Sequence, residues 1–537
     1  MLGPPGAGAT ARPDARLAHE GQGAFERRPK RLEWVGPQGE RRKLGLHNMY
    51  VYIIRYIQCT IKKNALPAQT PTRQRVRSRA GAPGKSSALS SRELLAWFLR
   101  LVPQREFGRL PAFQNKRFYA RLFTPLVTLW YLLFQRLQAD HTLDAVVADA
   151  QDGGADSLCQ RLSQRLLSSA TASFSNARQR LPLACLSEVL ALQVRRLLEF
   201  HPQSGWQGLR LCLLDGSTVR LRPHGDIARH YPPHRNQTPT PAYWCLMRVV
   251  VAFCARTGAA LACVVGGVDL GEQALACQLM LHHIGEASLF IGDRNFGVFR
   301  IVQCGRAAGA HTLVRLTDAR ARKLLGRALR PGDHALAWSP SRKDRLQPGC
   351  SAAPLPGRLL VAHVQPCGFR AQTLCLFTTL PSQADYPLAQ LVGLYGLRWH
   401  IELNRRYLKA QMRLVQLECK SADLAQKEWF AGLLAYNLIR AAMLGAALQR
   451  GCSPLALSFS SARRHLEHWL KHWGATGKGR PQWARMLRLS GQARLPERPQ
   501  PRPAEPRAQR HLRQPYPPLI GPRQIARQKL QTLTPKS

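Results

Sequence analysis

The chain has 537 residues, 45% of them hydrophobic, so it is long enough for two or three domains with buried cores. Lys and Arg number 78 against 31 Asp and Glu, which gives a formal net charge of +47. This excess of positive charge predicts a polyanionic partner. The length and the hydrophobic content exclude a merely disordered basic tail protein.

The 14 cysteines form no C-x-x-C pair and no Cys/His cluster with zinc spacing, so we interpret them as reduced core residues of a cytosolic protein. The sequence shows no secretory signal and no uninterrupted apolar run of the roughly 20 residues that cross a bilayer. The run at 122–134 is too short, and Asn437 and Arg440 interrupt the one after Trp429. We expect a soluble, intracellular protein with no membrane partner.

Composition and periodicity divide the chain into segments. Apolar residues at i, i+3 and i+4 predict helices, and short alternating or apolar runs predict strands. The segments are 1–85, disordered or a mispredicted extension; 86–204, helical; 205–317, strands then strands with helices; 318–384, β-rich; 385–425 and 426–475, helical; and 476–537, a basic Pro-rich tail. The predicted fold class is α/β, with a mixed sheet covered by helices and helical regions before and after it.

One segment with helical periodicity, LYGLRWHIELNRRYLKAQ, carries a spaced set of polar residues. Tyr395, Arg398, Glu402 and Lys409 follow the pattern Y-x2-R-x3-E-x6-K. On a continuous α-helix they would lie in a sector about 60° wide and about 21 Å long. One carboxylate would then sit in a row of phosphate-binding side chains, although an exposed helix with solvated charges gives the same pattern.

Two aspartates follow apolar β-like runs. Asp215 follows LRLCLL and Asp293 follows SLFIG, so each would lie at a strand end, where sites form in α/β sheets. Either alone could be a helix cap or a turn residue. With Glu402 they supply the carboxylate oxygens that hard cations such as Mg²⁺ prefer. Two such ions about 3.5–4 Å apart can activate a water or a 3′ hydroxyl and stabilise the leaving oxygen of a phosphodiester.

Other acids fit simpler roles. Asp269 and Glu272 lie between a predicted strand and a predicted helix, and we interpret them as capping or solvated residues.

The motifs LLDGST, FIGDRNFG and YGLRWHIE followed by Lys409, with AYNLIR in the next helix, resemble those of the DDE transposases of bacterial insertion sequences. The resemblance is to insertion-sequence family four, which carries the YREK motif, and it covers residues 90–475. It implies an RNase H-like catalytic core with a β-rich insertion between the second and third acids. Asp215, Asp293 and Glu402 would then be the catalytic and metal-binding residues, holding two Mg²⁺ ions for which Mn²⁺ can substitute.

The same resemblance implies DNA contacts, and the helical region 86–204 is a candidate for binding the DNA ends. Tyr395, Arg398 and Lys409 would bind phosphates of the transposon end, Trp399 would pack beside them, and Trp338 of the insertion would stabilise a flipped base. Gly393 and Gly396 flank the tyrosine, and each costs a helix about 1 kcal/mol relative to Ala, so the helix is expected to begin near Tyr395.

The expected function is therefore that of a DNA transposase. It would bind the terminal inverted repeats of its own insertion sequence and catalyse metal-dependent strand cleavage and strand transfer, by cut-and-paste. Its partners would be double-stranded end and target DNA, with a homodimer in the synaptic complex, in the bacterial cytoplasm and associated with the nucleoid. Two alternatives stay open: a catalytically inactive DNA-binding remnant, and an RNase H-like DNA nuclease that does not join ends.

Overall fold

A computed structural model describes residues 33–35, 41–43, 91–101, 106–114, 122–138, 140–159, 161–201, 205–233, 243–364, 372–476, 480–496 and 521–533. The chain divides into two compact units, Met1–Tyr50 and Val51–Ser537. In the first unit, strands β1 (Glu33–Val35) and β2 (Arg41–Lys43) pair antiparallel. Most of the predicted extension 1–85 and much of the tail lie outside the described residues.

Helices form the first part of the second unit, where apolar periodicity predicts them. They are α1 (Ser91–Leu99), α2 (Pro125–Leu137), α3 (Leu143–Gln151), α4 (Leu162–Arg165), α5 (Ala172–Arg180) and α6 (Leu183–Phe200). The side-chain oxygens of Thr124 and Thr142 accept hydrogen bonds from backbone N–H groups in the first turns of α2 and α3, which satisfies donors that the helix cannot. A role for this segment in binding DNA ends stays a prediction.

A ten-stranded mixed sheet lies at the centre of the second unit. Its further strands are β3 (Gly205–Trp206), β4 (Leu209–Leu221), β5 (Cys245–Cys254), β6 (Ala260–Gly266), β7 (Ser288–Gly292), β8 (His311–Arg315), β9 (Gly332–Trp338), β10 (Leu355–Val364), β11 (Gln372–Thr378) and β12 (Gln416–Leu417). The strand order is β6-β5-β4-β7-β8-β11-β10-β9, and β3 and β12 also pair with β4. β7 and β8 run parallel to β4, whereas β5 and β6 form an antiparallel hairpin.

The central strand β4 leaves an opening along one edge. It pairs with β5 from Cys212 to Leu221, but its pairing with β7 covers only Arg210 to Leu213. Farther along that edge, β12 pairs with Arg220 and Leu221. We expected Asp215 at the end of a strand, which is wrong: β4 is one 13-residue strand that passes through Asp215 beside the opening.

The segment 318–384 continues the same sheet. After α10 (Asp318–Leu325), β9, β10 and β11 extend the sheet because β11 pairs antiparallel with β8. Arg358 of β10 is buried, forms an ion pair with Asp333 and donates to the backbone carbonyls of Ser382 and Tyr386 at 2.8 and 2.9 Å. These bonds fix the chain that leaves the insertion towards the helices of the YREK motif.

The remaining helices cover the sheet or follow it. They are α7 (Ile227–His230), α8 (Glu272–His282), α9 (Phe299–Ala307), α11 (Arg342–Arg345), α12 (Leu388–Gly396), α13 (Trp399–Arg406), α14 (Ala422–Arg450), α15 (Phe459–Thr476), α16 (Arg480–Gln492) and α17 (Arg523–Leu533). A π-helical turn, Tyr407–Gln411, follows α13 directly.

Helix α14 is the core helix of the second unit. It has 29 residues, and its length and apolar composition would suffice to cross a membrane, but 94% of that apolar stretch is buried inside the protein. The polar residues Asn437 and Arg440 are themselves buried, and the side chain of Asn437 bonds the backbone of Ala260 in β6 at 2.8 and 2.9 Å. Its apolar surface therefore faces protein neighbours, among them α2, α6 and α16.

Candidate active site

One predicted acid lies on β4, and another directly follows β7, the parallel neighbour of β4. Leu213 of β4 is paired with Ile291 of β7, and Asp215 and Asp293 each come two residues later. Because neighbouring strands lie about 4.8 Å apart, this register places the two aspartates next to each other at the opening. A backbone N–H holds one of them, since Asn295 donates to Oδ1 of Asp293 at 2.8 Å.

The third acid comes from α13. Glu402 lies in the first turn of this helix, where the helix dipole favours a carboxylate. Its Oε2 forms an ion pair with Nη2 of Arg405 at 3.2 Å, and the two side chains are 40% and 42% exposed. A surface pair of this kind contributes at most about 1 kcal/mol, so it can be exchanged for another partner.

The charges of the neighbouring acids act on Asp215. Burial raises the pKa of Asp215 to about 7; Arg405 opposes this rise, and the charges of Glu402, Asp293 and Glu272 add to it. A carboxyl group with such a pKa is only partly ionised at neutral pH. A bound cation would favour its ionised form, because an opposite charge stabilises the carboxylate.

Glu272 lies beside the first acid, a position that its local sequence does not predict. We interpreted it as a capping residue, but in the first turn of α8 its carboxyl group lies against Gly216, the neighbour of Asp215. A Cβ on Gly216 would lie 2.4 Å from the carboxyl carbon of Glu272. Nδ2 of Asn295 donates to Oε2 of Glu272 at 2.7 Å. The signal available in the sequence was the glycine directly after the first acid, which leaves room for a second side chain.

Lys409 also reaches this site. Its pKa is lowered, first by burial and then by Arg405 and Arg220, while the charges of Asp215 and Glu272 oppose the shift. Lys409 lies in the π-helical turn and not on an uninterrupted α-helix. The single helical sector expected for the motif is therefore wrong in detail, because α12 ends at Gly396 and α13 starts at Trp399.

The predicted DNA-contacting residues around this break have different surroundings. Tyr395 lies in the last turn of α12, which begins before it at Leu388, and its side chain is buried. Arg398 and Trp399 are half-buried at the start of α13. As placed, Tyr395 does not present its side chain to a phosphate, whereas the roles of Arg398 and Trp399 stay predictions.

Trp338 occupies a core position in the structure. It ends β9, is 4% exposed, and makes edge contacts with Phe377 and Phe299 at ring-centroid distances of 4.9 and 6.2 Å. Its ring packs on protein and is not available to a base. The structure thus assigns Trp338 to the core of the sheet and corrects its sequence-based assignment to a flipped base.

Among the residues that the structure describes, no three His, Cys, Asp or Glu side chains stand close enough to hold a metal ion. The three acids nevertheless fit a metal by donor type, because they offer only carboxylate oxygens. Burial raises the pKa of Asp215, and the neighbouring acids add to that rise. The carboxylate of Glu402 forms an ion pair with Arg405.

Two sequence comparisons relate this chain to transposases. Residues 206–438 match the transposase DDE domain family, and this range contains all three acids. The chain is 27% identical over 332 residues to the transposase InsG for insertion sequence element IS4 of Escherichia coli strain K12, which covers 60% of this chain and 73% of that protein. A cryo-EM structure of the piggyBac transposase synaptic complex with hairpin DNA has a TM-score of 0.38 and 12% identity, over 75% of this chain and 85% of that one.

The chain is a DNA transposase of the DDE type, an enzyme that cleaves DNA and transfers strands. Enzymes of this type use divalent metal ions. Among them, the family match and the relative support an insertion-sequence transposase of the IS4 family. An insertion-sequence transposase that acts on DNA is a soluble protein of the cytoplasm.

Proposed function

We propose that this transposase cleaves the terminal inverted repeats of its own insertion sequence and joins their 3′ ends to target DNA. Asp215, Asp293 and Glu402 would hold two Mg²⁺ ions, with Mn²⁺ as a substitute. The observation that supports the proposal is the placement of these carboxylates: Asp215 lies on β4, Asp293 directly follows its parallel neighbour β7, and Glu402 on α13 lies near enough for its charge to act on Asp215.

The sheet supports an RNase H-like catalytic core. Three antiparallel strands, β6-β5-β4, are followed by β7 and β8, which run parallel to β4. The first acid lies on the central strand and the second directly after its parallel neighbour. The insertion extends this core on the side of β8.

The residues around the acids have roles that follow from their positions. Bound Mg²⁺ would supply Lewis acidity for the phosphodiester and make a water or a 3′ hydroxyl nucleophilic. Asn295 holds Asp293 through its N–H and Glu272 through its amide. Lys409 and Arg398 would bind the DNA backbone, because phosphate contacts fix the position of the strand without reading its sequence.

Arg405 has two successive partners in this proposal. It neutralises Glu402 in the free protein. If Glu402 held a bound metal instead, the guanidinium group would be available to a phosphate, which it could bind with two parallel hydrogen bonds.

The partners follow from the reaction and from the charge. The net charge of +47 suits binding of double-stranded end and target DNA and an association with the nucleoid. Two ends must be held together for cut-and-paste transposition, so we propose a homodimer in the synaptic complex.

The experiment that tests the proposal replaces Asp215, Asp293 or Glu402 by Ala, one at a time. Each variant should lose about 10³-fold or more of its Mg²⁺-dependent cleavage of end DNA, because each removes a metal ligand, while end binding stays within about threefold of wild type. The control is Asp385→Ala, an exposed acid before α12 that should cleave normally.

The same assay separates the alternatives. A wild-type cleavage rate in any of the three Ala variants contradicts the assigned site. An inactive remnant would bind ends but show no metal-dependent nicking in the wild-type protein. A nuclease would cleave, yet it would give no joined product when a target duplex is supplied.

A further inference from the structure

Arg440, in the middle of α14, is a buried cation behind the active-site helices, with 2% of its surface exposed. Its Nη2 donates to Oδ1 of Asn404 at 2.6 Å, and its Nε donates to the hydroxyl of Tyr436 at 2.9 Å. The guanidinium carbon lies 5.2–5.3 Å from the ring centroids of Tyr407, Tyr436 and Phe459. Among the described residues, no carboxylate forms an ion pair with it.

These contacts join the two sides of the junction between α13 and the π-helical turn. Asn404 comes two residues after Glu402, and Tyr407 comes two residues before Lys409 and starts the turn. The Tyr407 ring stacks on Phe459 with a centroid distance of 4.4 Å and an interplanar angle of 11°. Because π-helical turns are rare and need support from their surroundings, the contacts around Arg440 hold this one in place.

The other side of Arg440 is fixed to the central sheet. The hydroxyl of Tyr436 donates to the carbonyl of Gly258 in the β5–β6 turn at 2.6 Å. Gly258 has a φ of +74°, and a Cβ there would lie 2.7 Å from the guanidinium carbon of Arg440. The turn, α14 and the π-helical turn therefore meet at one buried charge.

A buried guanidinium group loses its hydration, and an amide, a hydroxyl and three ring faces offset that loss here. Buried polar networks of this kind, when satisfied, favour one arrangement of the surrounding elements. The amide nitrogen of Asn404 has no hydrogen-bond partner among the described residues, so the side chain of Asn404 contacts Arg440 by accepting a hydrogen bond at its oxygen.

We propose that Arg440 is a positioning residue, which sets the π-helical turn and thereby directs Glu402 and Lys409 to the acid site. It touches neither substrate nor metal and acts through Asn404 and Tyr407. The inference rests on the proposed function for its catalytic readout, but the conformation of the turn can be measured without any activity.

Three variants test this role: Arg440→Met, Asn404→Leu and Asn404→Asp. Hydrogen–deuterium exchange of the peptides that span 399–411 should become at least tenfold faster in the first two, and single-turnover cleavage of end DNA should fall by about 10²-fold, as expected for misplaced catalytic groups. Asn404→Asp keeps the acceptor oxygen for Arg440 and should stay close to wild type in both measurements.

The matched control is Arg178→Met. Arg178 is also buried and pairs with Glu428 of α14 at 3.3 Å, away from the π-helical turn. This variant should lower the melting temperature without faster exchange in 399–411 and without loss of cleavage at a temperature where it is folded.

The proposal is overturned if Arg440→Met exchanges and cleaves like the wild type, or if it resembles Arg178→Met. It is also overturned if Asn404→Asp is as impaired as Asn404→Leu. Should the wild-type protein itself fail to cleave, the proposed function fails, while the exchange measurement still decides whether Arg440 sets the turn.

Discussion

At the scale of single residues, Asp215 destabilises the folded protein when its buried carboxyl group is ionised. Its carboxyl group has an ordinary pKa of 3.8, and burial raises that pKa to about 7. The folded state consequently holds its proton to a higher pH than the unfolded state does. The stability of the metal-free protein should fall as the pH rises from about 4 to 7 and stay level above 7, as far as this residue contributes.

We predict that Asp215→Asn stabilises the metal-free protein at pH 8, by an amount on the order of 2–4 kcal/mol, because the neutral amide need not ionise in a buried site. The gain should shrink as the pH falls towards 4. Thermal melts in EDTA at several pH values measure it, with the exposed Asp385→Asn as control. A gain that does not depend on pH would contradict the raised pKa.

The residue scale also shows what the sequence could and could not predict. The order of Asp215, Asp293 and Glu402 pointed to an acid site, and that assignment stays a prediction. The expected strand end is correct for Asp293 but wrong for Asp215, which lies inside β4 because the strand continues through it to Leu221. The position of Glu272 beside Gly216 could not be predicted, because it depends on how α8 packs on β4 and not on any local sequence pattern. Trp338 was assigned to a flipped base from its location in the insertion. That location does not reveal that its ring packs on Phe299 and Phe377.

At the scale of elements, the helical motif is divided into three pieces. Gly393 and Gly396 signalled a weak helix, yet α12 forms across Gly393, because Leu391 and Leu394 are buried on either side of it. The break comes at residues 397–398, and the π-helical turn depends on contacts to α14 that lie more than 25 residues farther along the chain. Such contacts cannot be read from the periodicity of the motif.

The contact between β4 and α8 supports another prediction. Gly216→Ala should move the end of the Glu272 side chain, which is flexible, so stability should change by no more than about 1 kcal/mol. The move breaks the bond from Asn295 to Glu272, and cleavage should fall about tenfold.

The test of this contact compares single and double variants. Because Gly216→Ala acts through Glu272, combining it with Glu272→Ala should add little to the effect of Glu272→Ala alone on the cleavage rate. Additive losses in the two variants would show that the glycine matters for another reason.

At the scale of the whole molecule, the charge of +47 should dominate DNA affinity. If 6–10 phosphates are contacted, affinity for end DNA should fall by about 10³-fold or more between 50 and 200 mM salt. Lys409→Ala should lower the salt slope by about 1, since one phosphate contact is lost. Lys471→Ala, which removes a surface partner of Glu467, serves as control. An unchanged slope for Lys409→Ala argues against its phosphate contact.

Helix α14 has a consequence for how the protein is made. During synthesis its neighbours α2 and α6 leave the ribosome long before α14 does. Their apolar faces therefore stay uncovered until α14 is complete at Arg450. A chain that stops shortly before that residue carries most of an apolar helix that resembles a membrane span, together with an incomplete core. Chaperone demand and aggregation should therefore be greatest for chains truncated shortly before residue 450.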